Sequence, residues 1–137
     1  MKSLIIAITF SFSILTAVSP NIAQSQGLDC AEPLTQADMN DCAARAFVSA
    51  DSLLNQVWKS AVKTAKGRDS DLYDGEVPSE DMLRQAQRSW IVFRDQACLA
   101  ESTVARGGSI QLLLQYVCLE RLTLNRIEDL EFIADPR

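Results

Sequence analysis

The chain contains no histidine. Imidazole, the side chain that most often serves as a general base or a zinc ligand near neutral pH, is therefore excluded from its chemistry. Closely spaced cysteine pairs are missing too. Cys30, Cys42, Cys98 and Cys118 are separated by 12, 56 and 20 residues, whereas structural zinc sites bring ligands together in pairs roughly two to four residues apart. Positive charge is scarce: 13 Lys and Arg stand against 18 Asp and Glu, a formal net charge of −5. That balance repels nucleic acid and anionic lipid and favours basic partners. No alternating strand pattern, internal repeat or low-complexity segment emerges, so neither a β-sheet domain nor a repeat array is expected.

What is present begins with an export signal. Met1-Lys2 supplies a short positive start, and Leu4 to Val18 is apolar apart from Ser and Thr. This run is short for a membrane span, and Ser19-Pro20-Asn21 breaks it. Ala23-Gln24-Ser25 offers a small-x-small cleavage site, which gives residues 1–25 as a signal peptide and 26–137 as one mature domain. Cleavage removes Lys2 and makes the net charge one unit more negative. Cys30 follows Leu28-Asp29 rather than a small residue, so a soluble periplasmic or secreted protein is expected instead of a lipid-anchored one.

All four cysteines survive cleavage, and an even number in a small exported chain reads as two disulfides. Three pairings are formally possible. Cys98 and Cys118 each lie ten residues from Gly108, and in an antiparallel helical hairpin turning at Gly107-Gly108 residues equidistant from the turn face each other. Cys98–Cys118 is thus the favoured pair, and Cys30–Cys42 follows by elimination.

The remaining pattern is helical. Thr35, with Asp38 three residues on, makes an approximate capping box. After it Ala43, Ala46/Phe47, Ala50, Leu53/Leu54, Val57/Trp58, Ala61/Val62 and Ala65 recur at three-four spacing, up to Gly67. Gly67 to Pro78 is an exposed acidic connector. Ser79 is placed to cap a second helix whose apolar stripe is Leu83, Ala86, Trp90, Phe93, Ala97, Ala100 and Val104. Ser109 is placed to cap a third, leucine-rich helix running towards Pro136. The expected fold is all-α: a small antiparallel three-helix bundle stapled by two disulfides.

Certain segments resemble the lysozyme inhibitor LprI-like family. They are Cys42, Ala50-Asp51-Ser52-Leu53-Leu54-Asn55-Gln56-Val57-Trp58, Ala86-Gln87-Arg88-Ser89-Trp90-Ile91-Val92-Phe93-Arg94-Asp95-Gln96-Ala97-Cys98, Gly107-Gly108-Ser109, Cys118 and Leu122-Thr123-Leu124-Asn125-Arg126. The stretch from Gln87 to Cys98 is the most specific of these. One departure is Trp58, where Tyr is common in the family; both are large amphipathic rings, so the packing role is expected to survive. The resemblance implies a small exported helical protein whose partner is a lysozyme.

The residues themselves offer three functional readings. In an enzyme lacking His and free Cys, Asp51 and Asp95 are the carboxylates that would act on wall components. Against this, Asp95 can pair with Arg94 or Arg88, and Asp51 and Asn55, one turn apart, can bond to the neighbouring helix. Trp90 and Phe93 lie on the apolar stripe and are expected in the core. Arg94, on its flank, suits either a structural ion pair or a partner contact. The binding reading places Asp69, Asp71, Tyr73, Asp74 and Glu76 of the connector at a partner surface, with Arg68 or Arg106, beside the two turns, facing a lysozyme's catalytic carboxylates. A non-inhibitory envelope interaction protein is the alternative. No cofactor and no metal are expected.

Overall fold

The computed structural model describes residues 29–135; the expected signal peptide lies outside them. Three helices make up the domain: α1, Gln36–Arg68, α2, Ser79–Ser102, and α3, Gln111–Ala134. Among the described residues there is no strand. Helix α1 runs for 33 residues because neither Gly nor Pro interrupts it before Gly67. The capping box closes its start. The Asp38 amide donates to Thr35 Oγ1 at 3.1 Å, and the Thr35 amide donates to Asp38 Oδ2 at 3.0 Å.

The other two helix starts differ from expectation. Ser79 is itself the first residue of α2 and makes no side-chain cap. Its cap comes from Asp69, just past the end of α1, whose Oδ1 accepts from the Ser79 amide at 2.7 Å and whose Oδ2 accepts from the Glu80 amide at 3.1 Å. One carboxylate thus closes the connector and meets the positive end of the α2 dipole. Helix α3 has no side-chain cap either. Ser109 instead offers its carbonyl to Asn40 Nδ2 at 3.1 Å, tying the turn to the first residues of α1. In this turn Gly107 has φ +77°, which a side chain would resist, and its amide donates to Gln111 Oε1 at 2.9 Å.

Burial works to raise the pKa of Asp69, but the Glu80 and Ser79 amides outweigh it and hold the carboxyl below its ordinary value. With the folded-state pKa below the unfolded one, the stabilisation is complete above about pH 4 and is lost as the pH falls through the folded value. Asp69→Asn is therefore expected to melt below the wild type at neutral pH, with the gap closing in acid. Thermal unfolding followed by circular dichroism at pH 7 and pH 3 checks this; a gap of constant size would assign the cap no ionic component.

Thr64 Oγ1 donates to the Ala134 carbonyl at 3.0 Å, and Asn40 meets Ser109, so α1 and α3 run in the same direction. Helix α2 returns antiparallel and packs against both. The small residues Ala43, Ala50, Ala61 and Ala65 are buried on α1 and admit α3, its principal neighbour. Leu54, Ala61, Ala65, Leu83, Ile127 and Leu130 form the main core, with Trp58 and Trp90 against its edge. A second cluster surrounds the disulfide Cys98–Cys118. Cys30 bonds Cys42, and both pairings are the favoured ones.

The apolar stripe expected to bury α2 is displaced. Leu83 is buried and Trp90 half-buried, but Phe93 is 59% exposed and Val104 84%. The buried line is Leu83, Gln87, Arg94, Cys98 and Ser102. The disulfide sets this rotation. Cys98 must face Cys118, Arg94 lies one turn earlier on the same face, and Phe93, the next residue back, is turned away by about 100°.

Candidate functional site

Arg94 is the node where the three helices meet. Its side chain is only 9% exposed, and a buried guanidinium is tolerated only when its charge is matched. Nη1 donates to Asp51 Oδ1 of α1 at 3.0 Å and to Thr123 Oγ1 of α3 at 3.3 Å, while Nε donates to Asp95 Oδ1 at 2.9 Å. The guanidinium also sits 5.2 Å from the ring centre of Phe47 and 5.1 Å from that of Trp90, within cation–π range. Asn55 Nδ2 steadies Asp51 by donating to its Oδ2 at 3.2 Å and to its carbonyl at 2.9 Å. A further layer follows: Arg126 donates to Gln87 Oε1 at 3.0 Å and lies 5.9 Å from the Trp90 ring centre.

In this geometry Asp51 and Asp95 take the paired arrangement expected against the enzyme reading. Both carboxylates are counter-ions of one arginine, and Asp51 bonds the neighbouring helix through it. Arg94, placed by expectation on a flank, is the interior half of these ion pairs.

Beside the node, α1 and α2 leave a cleft of about 360 Å³ between them. Asp51, Asn55 and Trp58 line one wall, Gln87, Arg88 and Ile91 the other, and Arg94 and Arg84 complete it. Arg84 is held by Glu80, its Nε and Nη2 both donating to Oε1 at 2.8 and 2.7 Å. Arg88 is exposed and makes no ion pair. A larger hollow of about 480 Å³ lies between the C-terminal parts of α1 and α3, but Val57, Phe132 and Ala134 make much of its lining and no charged group is buried in it.

The residues expected at a partner surface fall in three places. Arg68, Asp69, Asp71, Tyr73, Asp74 and Glu76 gather at the α1–α2 end. Arg106 belongs to the α2–α3 turn at the opposite end, about 36 Å away along the 24 residues of α2. Arg94 lies between. Within the first group the roles divide. Asp69 is spent on the α2 cap, Arg68 Nη2 donates to the Ile133 carbonyl at 3.0 Å, and Glu76 Oε2 accepts from the Tyr73 amide at 3.1 Å. Tyr73 is 80% exposed. Arg106 is exposed, and its guanidinium makes no hydrogen bond or ion pair; only its amide is bonded, to the Thr103 carbonyl at 3.1 Å.

Sequence reasoning missed Gln87, Thr123 and Ser102 as buried polar groups and Arg88 as a wall of the cleft. One signal was available: Gln87, Arg94 and Cys98 share a helical face, and a cysteine committed to a disulfide drags that face inward.

The family model for lysozyme inhibitor LprI matches residues 29–130, which contain the whole node, the cleft and both turns. The chain is also similar to the protein named "Uncharacterized protein R02472" of Rhizobium meliloti (strain 1021), with 33% identity over 125 residues that cover 89% of this chain and 90% of the relative. No solved structure matches.

Proposed function

Because this chain belongs to the lysozyme inhibitor LprI family, we propose that it is an exported protein that binds and inhibits a lysozyme, with neither cofactor nor catalysis of its own. Export to the periplasm or beyond fits two disulfides in one small domain. Among the described residues no helix is long and apolar enough to cross a membrane.

The observation that carries the proposal is the α2–α3 turn. Arg106 is an unbonded cation on a short turn held from both sides by Cys98–Cys118 and pinned to α1 by Asn40. Glycosidases of the lysozyme kind place two carboxylates across a cleft. A rigid turn that presents one guanidinium matches that site, because a carboxylate pairs bidentately with arginine and little entropy is lost on docking. The net negative charge of the chain steers it towards a basic partner. Arg68, already bonded to the Ile133 carbonyl, suits this role less. The exposed Tyr73 among Asp71, Asp74 and Glu76 at the opposite end supports the second reading, an envelope protein that docks a basic partner through the connector without inhibiting it.

The test is a titration of the oxidised secreted protein into chicken-type and goose-type lysozyme assays at low and moderate salt. Stoichiometric inhibition that persists at moderate salt is expected, since steering is screened while contact in a cleft is not. Arg106→Glu should weaken inhibition by at least about tenfold, as loss of a buried charged contact does, and Arg68→Glu should weaken it less. Absence of inhibition by the wild type, or inhibition indifferent to Arg106→Glu, would refute the proposal.

A further inference from the structure

We infer that the cleft between α1 and α2 is a binding site for a small carboxylate next to an amide, the chemistry of a peptide C-terminus. The inference is independent of the lysozyme reading, whose contact residue lies at the end of the bundle.

Arg94 provides the first argument. Its Nε and Nη1 are taken by Asp95, Asp51 and Thr123, and Nη2 has no protein partner. Every sealed side-chain nitrogen and oxygen among the described residues is paired, so this unpartnered Nη2 is not sealed from solvent. Arg94 lines the cleft. A guanidinium fixed through Nε and Nη1 with Nη2 unbonded is a preorganised donor, because its rotamer is already set before a ligand arrives.

Arg88 provides the second. It stands on the cleft wall, is exposed, and forms no ion pair that would have to be broken. Both arginines line the same cleft and supply charged donors to it. Acceptor and donor groups for the rest of a peptide are also in place. Asn55 uses its Nδ2 on Asp51, and Gln87 uses its Oε1 on Arg126. This leaves Asn55 Oδ1 to accept an amide N–H and Gln87 Nε2 to donate to a carbonyl. Trp58 and Ile91 offer the apolar surface against which a small side chain can rest.

Charge limits the ligand to a single negative charge. Asp51 and Asp95 already oppose Arg94, and Glu80 already holds Arg84 at the rim, so Arg88 is the arginine of the cleft without a counter-ion. A monocarboxylate meets Arg88 and the unbonded Nη2 of Arg94. A dianion would carry its second charge into the field of Asp51 and Glu80.

N-acetyl-dialanine tests this, followed through the Trp58 indole N–H resonance, which a Trp58→Phe variant distinguishes from that of Trp90. Saturable shifts with the free acid are expected, with the C-terminal amide of the same dipeptide binding at least about tenfold more weakly, the loss that follows removal of a charge-assisted hydrogen bond, and inorganic phosphate binding at least about tenfold more weakly because its second charge faces Asp51 and Glu80. Arg88→Met, which removes no bond of the folded state, should weaken the free acid to a similar degree while leaving the melting temperature unchanged. No saturable shift, equal binding of acid and amide, equal binding of phosphate, or indifference to Arg88→Met would each overturn the assignment.

Discussion

Removing both carboxylates that face Arg94, in an Asp51→Ala, Asp95→Ala variant, is expected to destabilise the domain more than removing Arg94 itself. Burial decides the order. The Arg94 side chain is 9% exposed, whereas Asp51 and Asp95 keep 39% and 51% of theirs. Without its partners, the guanidinium is left with Thr123 and the rings of Phe47 and Trp90. Stranding a charge in such a place costs about 3–5 kcal/mol. In Arg94→Met the two carboxylates turn to water, the methionine fills much of the same volume, and the loss is about 2 kcal/mol, the hydrogen bonds and cation–π contacts alone. For a domain of this size the double variant should melt about 15 °C or more below the wild type. Urea unfolding at pH 7 measures both changes. An Arg94→Met variant less stable than the double alanine variant would show that the arginine is not the buried partner.

The helices and their order were legible because each is long and strongly periodic. Thr35 and Asp38 gave the first cap, since a capping box is a contact between neighbours in sequence. The cap of α2 was hidden for the opposite reason: Asp69 reaches Ser79 and Glu80 across the connector, and local pattern offers only Ser79 itself. The rotation of α2 was hidden by composition. Its apolar residues trace a stripe through Phe93, Ala97, Ala100 and Val104, and hydrophobicity alone would bury them. A covalent bond at Cys98 and a three-helix ion network at Arg94 outweigh that stripe and turn it outward.

The candidate sites divide along the same line. The acidic connector and Arg106 were visible from their positions beside turn residues, because turns expose what they carry. The cleft was not visible. It depends on how α1 and α2 meet and on which nitrogen of Arg94 its partners leave unbonded, and both are set by tertiary packing, since Asp51 and Thr123 lie 43 and 29 residues from Arg94 in sequence. The family resemblance singled out the block Gln87 to Cys98, within which Phe93 faces solvent while Arg94 carries the interior role.

The two disulfides are expected to differ in what their loss costs, although their loops are of similar size. Cys98→Ala with Cys118→Ala should destabilise by about 3 kcal/mol, the loop-closure value for a 20-residue separation. Cys30→Ala with Cys42→Ala should cost about 1 kcal/mol or less, well below the loop-closure value of about 2.8 kcal/mol for its 12-residue separation. A cross-link stabilises by restricting the unfolded chain, and the benefit is complete only if the folded chain holds both ends in place without it. Cys98 and Cys118 meet that condition. Both are fully buried, Leu119 and Phe47 pack around them, and Glu101 and Arg121 pair beside them at 2.8 Å. Cys30 does not meet it. It sits on an exposed arm of which the described hydrogen bond before the cap is local, from the Ala31 amide to Asp29 Oδ1. When the bond to Cys42 is cut, this arm gains freedom in the folded state as well as the unfolded one, and the two gains largely cancel. Guanidinium unfolding of the two double variants separates the cases, and equal losses would mean that the N-terminal arm is held by contacts beyond its disulfide.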